Sequence, residues 1–347
     1  MRKKSYHVAV VGATGAVGQK ILSLLEYETQ FEISEVTLLS SKRSAGKKLS
    51  FKEREITIQE ALPTSFQGVD IAFFSAGGEV SKRLVNYAVD SGAVVIDNTS
   101  EYRMSSDVPL VVPEVNAHTL TNHKGIIAVP NCSALQMVTV LHPIRKAFGL
   151  ERIIVSTYQA VSGSGIHAIN ELKEQARAML AGHEAEAGIL PAKKDKKYYP
   201  IAFNVLPQVD VFTDNGYTFE EVKMIQETKK IMEDPALKMA ATCVRVPVVS
   251  GHSESVYIEL ERAATVKDIR EVLSFSPGVI LQDEPGEQLY PMPLYAAGKT
   301  DTFVGRIRKD PDYPKGFHLW IVSDNLLKGA AWNSVQIVET MVEKRII

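Results

Sequence analysis

At about 150 residues per domain, a chain of 347 residues has room for two domains with a core each, which excludes a peptide module or a disulfide miniprotein. Hydrophobic residues make up 45% and charged residues 23%, so neither a disordered nor a fibrous class fits. With 39 Lys+Arg against 41 Asp+Glu the net charge is −2, and no basic excess points to nucleic acid or an anionic membrane as a partner.

The chain opens MRKKSYHVAVVGATGAVG, in which basic residues precede apolar ones as in a signal peptide. The apolar run is short and passes straight into glycines, so it reads as a first strand, and no later run approaches the roughly 18 apolar residues of a membrane span. Short apolar runs then alternate with helix-like stretches, the signature of βαβ units on a parallel sheet. The expected strands are HVAVV, EVTLLS, VDIAFFSA, AVVIDN and IIAVP. Helices are expected after Gly15, from Glu79 to Asp90 and from Ser133 to Phe148. Leu49 to Ile58 alternates and reads as an inserted antiparallel strand.

Beyond Gly149 the segments are longer and β-rich: RIIVSTYQAV, AATCVRVPVV, SVYIELE and FHLWIVSD, with three helices between them. This pattern predicts an α+β domain with a mostly antiparallel sheet. The lysine-rich stretch from Lys193 to Lys197 reads as a solvated loop, and the last residues from Asp324 as an amphipathic helix. The expected division is residues 1–132, completed by a C-terminal helix at 325–347, and residues 133–324.

Gly12, Gly15 and Gly18 fall directly after the first strand and open a helix, the context in which backbone amides cradle a dinucleotide pyrophosphate. The spacing is GxxGxxG rather than GxGxxG, and a ligand-free glycine turn is the alternative. At the end of the second strand, where an NAD enzyme places a carboxylate, the chain reads LLSSKRSAG. Ser41, Lys42 and Arg43 stand there, which favours the 2′-phosphate of NADP over a merely solvated basic turn.

The two cysteines, Cys132 and Cys243, form no CxxC pattern, so neither a disulfide framework nor a metal site is expected, and a reducing cytoplasm is the expected compartment. Cys132 lies between an apolar strand and a helix, where a helix N-terminus stabilises a thiolate. That context leaves it open between a nucleophile and a buried structural cysteine. Cys243 sits in an apolar strand and reads as inert.

GATGAVG, RSAG, NCS, TYQAVSGSG and VRVPVVSGHSES occur in that order from residue 8 to residue 255, and together they resemble the bacterial aspartate-semialdehyde dehydrogenases. The resemblance covers essentially the whole chain. It implies an α/β Rossmann NADP-binding domain plus an α+β glyceraldehyde-phosphate-dehydrogenase-like catalytic domain. The implied reaction is NADPH-dependent reductive dephosphorylation of aspartyl phosphate to the semialdehyde, on the route to lysine, threonine and methionine. It further implies a homodimer, sometimes a tetramer, in the cytoplasm, with inorganic phosphate as co-substrate.

By the same resemblance Cys132 is the nucleophile that forms an acyl thioester, His252 the acid/base and Gln159 the residue that orients the substrate. From context alone His252 would pass as a core or surface histidine and Gln159 as a strand-end amide. Arg245 grips the substrate carboxylate, Glu220 meets its amine, and Arg103 and Lys223 bind phosphate, with Asn131 beside the thiol. Gly12, Thr14, Gly15, Ala16, Val17, Ser41, Arg43, Ser44, Ser162, Gly163 and Asn325 are implied to contact the cofactor.

Arg245 precedes His252 by seven positions, which in one unbroken strand puts them on opposite faces. Both enter one site only if the Ser250–Gly251 turn breaks the pleat. Thr218 and Glu221 form a T-x-x-E capping box, which places Glu220 and Lys223 three apart on one helix. Without the resemblance that pair reads as a surface ion pair worth little. Two rivals share the pattern: an N-acetylglutamyl-phosphate reductase, whose substrate lacks a free amine, and a non-catalytic paralogue, which would lack the thiol or the histidine.

Overall fold

A computed structural model of the chain describes residues 5–192 and 195–347, so Lys193 and Lys194 of the expected lysine-rich loop lie outside the described residues. In chain order the first elements are β1 (Tyr6–Val11), α1 (Ala16–Tyr27), β2 (Ile33–Ser40), β3 (Lys48–Phe51), β4 (Arg54–Thr57), β5 (Gln59–Glu60) and β6 (Ile71–Phe74). They continue with α2 (Gly78–Asp90), β7 (Val94–Asp97), α3 (Pro113–Asn116), β8 (Ile126–Ala128), α4 (Cys132–Phe148), β9 (Arg152–Gln159), α5 (Ile166–Leu180) and α6 (Phe219–Ile231). The remainder are β10 (Lys238–Arg245), β11 (His252–Glu259), α7 (Val266–Ser274), β12 (Val279–Leu281), α8 (Pro293–Ala296), β13 (Thr302–Lys309), β14 (Gly316–Ser323) and α9 (Asn333–Glu343).

The chain divides into two compact units, residues 1–131 with 330–347, and residues 132–329. The expected boundaries are displaced by one residue at Cys132, which opens α4, and by the segment 325–329. An ideal Cβ on Gly329 would lie only 2.7 Å from Cβ of Cys132, so this segment packs on the start of α4 and belongs with it.

The first unit is built on a six-stranded sheet of order β5-β2-β1-β6-β7-β8, parallel at every junction. Counting only these strands, that is the Rossmann order 3-2-1-4-5-6, whose topological switch point falls between β1 and β6. The strands are apolar on both faces because helices cover the sheet, and Val11, Phe74, Leu84 and Val95 share one core. The stretch Leu49–Ile58 is not one strand but the hairpin β3–β4. Lys52 and Glu53 at its tip take φ of 47° and 63°, the paired left-handed geometry of a tight two-residue hairpin turn. Nor is the C-terminal segment one helix from Asp324. A π-type turn at Leu327–Trp332 precedes α9, and Asp324 caps its start by accepting from the Leu326 and Leu327 amides.

The second unit carries a mixed six-stranded sheet of order β10-β9-β11-β14-β13-β12. Junctions β9–β11, β11–β14 and β14–β13 are antiparallel, while β10–β9 and β13–β12 are parallel. The β10–β9 junction is parallel because α5 and α6 intervene between the two strands as a crossover. One face of this sheet is buried; the other leaves Ile154 and Tyr158 of β9 43% and 38% exposed. Among the described residues no helix is long and apolar enough to cross a membrane.

Candidate active site

In the first unit, β1 ends at Val11 and the chain turns through Gly12, whose φ is +91°. A Cβ there would stand 2.9 Å from the Ser75 carbonyl carbon just beyond β6, and one at Gly18 would stand 2.2 Å from the Gly12 oxygen. Only glycine allows the turn to pass this close to β6 at the switch point. Gly15 is the N-cap of α1 and offers no side chain to its amides, and the first turn, opened by Ala16 and Val17, carries no acidic residue. Helix amides left without a partner, with the positive end of the helix dipole, fit an anionic diphosphate. Thr14 Oγ1 lies 3.1 Å from Ser40 Oγ at the end of β2. Beyond Ser40 the chain turns, the Ser44 amide donating to the Ser41 carbonyl, which leaves Ser41, Lys42 and Arg43 exposed and Ser44 buried.

Arg103 and Asn131 also belong to the first unit. The Arg103 guanidinium is buried and donates from Nη2 to the Asn98 carbonyl beyond β7 at 2.9 Å. Asn131 is buried at the end of the unit.

The second unit brings the remaining predicted residues together. Cys132 opens α4 and is partly accessible, whereas Cys243 is fully buried and its thiol is pushed well up by burial. The negative form of Cys132 is close enough to Arg245 to favour its cation, opposing the desolvation that lowers it. Arg245 is almost fully buried; its Nη1 donates to the Ala160 carbonyl at 2.7 Å, and its Nε has no partner among the described residues.

Arg245 ends β10 and His252 begins β11, so the unbroken strand of the sequence pattern does not exist. The loop between them turns at Gly251 (φ +92°), where a Cβ would lie 3.0 Å from Pro293. Both strands flank β9, which brings the two residues to the same end of the sheet. The His252 ring is fully buried; its Nδ1 accepts the Ala160 amide at 3.0 Å, and Nε2 has no partner among the described residues. Burial and the nearby Arg245 push its pKa down to about 3, against the pull of Glu220.

The capping box of Thr218 and Glu221 forms as expected at the start of α6 and sets Glu220 and Lys223 on one face. They are not a surface pair. Their side chains are 7% and 25% exposed and meet at 2.8 Å, and Gln159 Nε2 donates to Glu220 at 3.1 Å. Lys223 also pairs with Asp210 at 3.1 Å. Burial by itself would lower its pKa, but Glu220 and Asp210 together hold it well above the ordinary value. Asp210 was not predicted; it sits in an irregular loop at φ 69°, and no sequence signal ties it to Lys223.

Ser162 and Gly163 follow β9, and the Ser162 hydroxyl bonds the Asn325 amide group, whose Oδ1 also accepts the Gly251 amide at 2.9 Å. Asn325 therefore ties the turn before His252 to the turn after β9. Beside His252 on β11, Glu254 is fully buried with both oxygens unpartnered among the described residues, and burial raises its carboxyl well above the ordinary range. The nearby Gln136 amide works the other way, favouring the charged form. Among the described residues no group of three or more His, Cys, Asp or Glu is placed to hold a metal ion.

Two family profiles match the chain: "Semialdehyde dehydrogenase, NAD binding domain" over residues 7–123, and "Semialdehyde dehydrogenase, dimerisation domain" over residues 141–328. A parallel nucleotide-binding sheet followed by a mixed sheet that gathers a thiol, an imidazole and a buried guanidinium thus defines a semialdehyde dehydrogenase. The aspartate-semialdehyde dehydrogenase of Bacillus subtilis (strain 168) is 63% identical over 345 residues, 99% of each chain. The solved structure of aspartate semialdehyde dehydrogenase II complexed with ASA from Vibrio cholerae matches with a TM-score of 0.93 and 42% identity, covering 98% of this chain and 99% of that one. The structure of the enzyme with NADP from Candida albicans matches with a TM-score of 0.77 and 27% identity, covering 99% and 100%. The chain belongs to the aspartate-semialdehyde dehydrogenase family.

Proposed function

We propose that the chain catalyses the NADPH-dependent reductive dephosphorylation of L-aspartyl-4-phosphate to L-aspartate 4-semialdehyde, reversibly and with phosphate as co-substrate, through an acyl thioester on Cys132. The observation that carries this reading is Arg245, a buried guanidinium with an uncommitted Nε beside the thiol at the start of α4. A buried cation with a spare donor suits a substrate carboxylate, and a thiolate beside it suits attack on an acyl phosphate.

The first unit holds the cofactor through Gly12, Thr14, Gly15, Ala16 and Val17 at the diphosphate and through Ser41, Arg43 and Ser44 at the 2′-phosphate. NADPH supplies reducing equivalents when bound. Ser162, Gly163 and Asn325 line its nicotinamide end. Cys132 attacks the acyl carbon and expels phosphate, which Arg103 and Lys223 receive with Asn131. Arg245 holds the α-carboxylate, Glu220 takes the substrate ammonium, and Gln159, which donates to Glu220, orients it. His252 serves the tetrahedral states. The NADP complex of the Candida albicans enzyme and the exposed Ser41–Arg43 turn support NADP over NAD.

The same reading makes the chain a cytoplasmic enzyme of lysine, threonine, isoleucine and methionine biosynthesis. A homodimer through the second unit is supported by the family description and by the exposed Ile154 and Tyr158 on its sheet. The test is a spectrophotometric assay with aspartate semialdehyde, phosphate and either NADP or NAD. Phosphate-dependent reduction of NADP is expected; turnover with N-acetylglutamate semialdehyde in its place would instead make the chain the reductase rival.

A further inference from the structure

Asp97 closes β7 and is fully buried, and it takes no part in the proposed chemistry. β7 lies between β6 and β8, and the ladder runs on past its end: the Asn98 amide donates to the Phe74 carbonyl at 2.9 Å, and the Val129 amide to the Asp97 carbonyl at 2.8 Å. The side chain of Asp97 takes three donors. Oδ1 accepts the Ser81 hydroxyl of α2 at 2.9 Å and the Thr99 amide at 3.0 Å, and Oδ2 accepts the Thr99 hydroxyl at 2.9 Å. This is an Asx-type turn anchored on a helix.

The Thr99 N–H and the Asn98 C=O belong to one planar trans peptide, so they point in opposite directions. Asp97 holds the N–H end. At the other end the Asn98 carbonyl accepts Arg103 Nη2 at 2.9 Å, so one rigid plane is gripped by the carboxyl and by the guanidinium. The Asn98 side chain is fixed as well. Its Nδ2 donates to the Phe74 carbonyl at 3.3 Å, and its Oδ1 accepts the Ser334 hydroxyl of α9 at 2.9 Å, which shares its proton with the Ala330 carbonyl at 2.8 Å.

We infer that Asp97 is a positioning residue for Arg103, aiming the Asn98–Thr99 peptide at the guanidinium, and that Ser334 of the C-terminal helix holds the Asn98 side chain to the same end. The inference rests on the reading of Arg103 as a phosphate grip.

Arg103 lies between β7 and α3, outside any helix or strand, so no regular backbone sets the direction of its long side chain. A bond from Nη2 to a fixed carbonyl does so, because the guanidinium is flat and rigid and one anchored nitrogen sets the plane of the whole fork. The carboxyl-terminal edge of a parallel sheet is where folds of this kind bind ligands, and a planar fork held there suits phosphate oxygens. Burial pushes the Asp97 carboxyl up, while its Thr99 and Ser81 donors and the nearby Arg103 pull it down, so cation and carboxyl feel one another. The turn is coded within a few residues, but Ser334 reaches it from 236 positions away.

Steady-state kinetics of the full-length protein in the phosphorylating direction test this, with the KM for each substrate measured separately. Asp97→Ala should raise the KM for phosphate about tenfold or more, while those for semialdehyde and NADP stay within about twofold. Asp97→Asn keeps an oxygen for the Thr99 amide and a nitrogen that can donate to the Thr99 hydroxyl, so it should regain most of the loss. Ser334→Ala, the milder change should Asp97→Ala fail to fold, should raise the phosphate KM about three- to fivefold. Placed on Arg103→Leu, neither change should add to the loss, because a residue that acts through Arg103 has nothing left to act on. Equal rises in all three KM values, or full additivity with Arg103→Leu, would overturn the inference and leave Asp97 and Ser334 as supports of the fold. Thermal stabilisation by inorganic phosphate gives a readout that needs no turnover: the rise in melting temperature should shrink in Ser334→Ala and vanish in Arg103→Leu. If that pattern holds while wild-type protein fails to turn over aspartate semialdehyde, the proposed function fails and the positioning stands. If phosphate stabilises wild type and Ser334→Ala alike, the positioning fails.

Discussion

Gly163 stands where any side chain would press on Arg245: an ideal Cβ would lie 3.0 Å from its Nη1, with the His252 ring 3.5 Å from the same point. The backbone at Gly163 is not left-handed, so alanine is tolerated by the chain but not by the site. Gly163→Ala should leave the melting temperature within about 2 °C, an exposed substitution costing within about 0.5 kcal/mol. It should nevertheless lower kcat/KM by roughly ten- to a hundredfold through displacement of the guanidinium and imidazole. Unchanged kinetics would show that the two groups have room to move.

The contrast between the cysteines is testable by reactivity. Cys132 is partly accessible at a helix start, while Cys243 is buried with its thiol pushed up. Iodoacetate followed by peptide mass analysis should modify Cys132 first, with protection by semialdehyde, and Cys132→Ala should abolish turnover while NADP still binds. Loss of activity tracking modification of Cys243 would reverse the assignment.

Arg43 is exposed on the turn after β2. Removing a charged hydrogen bond to the 2′-phosphate costs about 1.5–3 kcal/mol, so Arg43→Ala should raise the KM for NADP at least tenfold and leave that for NAD nearly unchanged. Equal weakening of both would mean that Arg43 only supports the loop.

Two arginines should divide the anionic groups. Arg103→Leu is expected to raise the phosphate requirement far more than that for semialdehyde, and Arg245→Leu to do the reverse. Arg245→Lys should also be costly, since an ammonium lacks the forked donor geometry. Lys223→Leu should raise the phosphate KM less than Arg103→Leu, because Glu220 and Asp210 already balance its charge. Paired saturation curves decide each case, and an equal loss of phosphate and semialdehyde in Arg245→Leu would merge the two pockets.

His252 should leave a mark on stability against pH. Its pKa falls from about 6.5 in the unfolded chain to about 3 in the folded one, so below about pH 6.5 the unfolded chain binds a proton that the native ring refuses. Stability is then fully present above that value and falls progressively as pH drops toward about 3. At about pH 5 the wild type should have lost on the order of 2 kcal/mol relative to its value at about pH 8, a loss absent from His252→Asn. Parallel urea unfolding curves for both proteins at both pH values measure it, and identical pH dependence would place a charged ring in the native state.

Much of the first unit was legible in the chain because its signals are local. The strand, glycine turn and helix around Gly12–Gly18 follow one another within a dozen residues, and the Thr218–Glu221 box closes within one helical turn. The hairpin at Lys52–Glu53 is not legible in the chain because neither residue type advertises the left-handed backbone it adopts. β13 carries no comparable signal, and the C-terminal run reads as one continuous helix although Asp324 caps a π-type turn first.

By itself, the sequence determined most strands and helices of the first unit, where a glycine must sit, and that Cys132 stands at a helix start, since each depends on dihedral preferences and hydrogen bonds spanning a few residues. Tertiary structure decided what those side chains became. Gln159 reaches Glu220 across 61 positions and Ala160 reaches His252 across 92, because β9 lies between β10 and β11. Strand order, not spacing, carried Arg245 and His252 to one end of the sheet, and burial rather than residue type pushes the His252 pKa down and the Glu254 carboxyl up. Protonation and partnership depend on desolvation and on charges within a few ångströms, and those neighbours are distant in the chain.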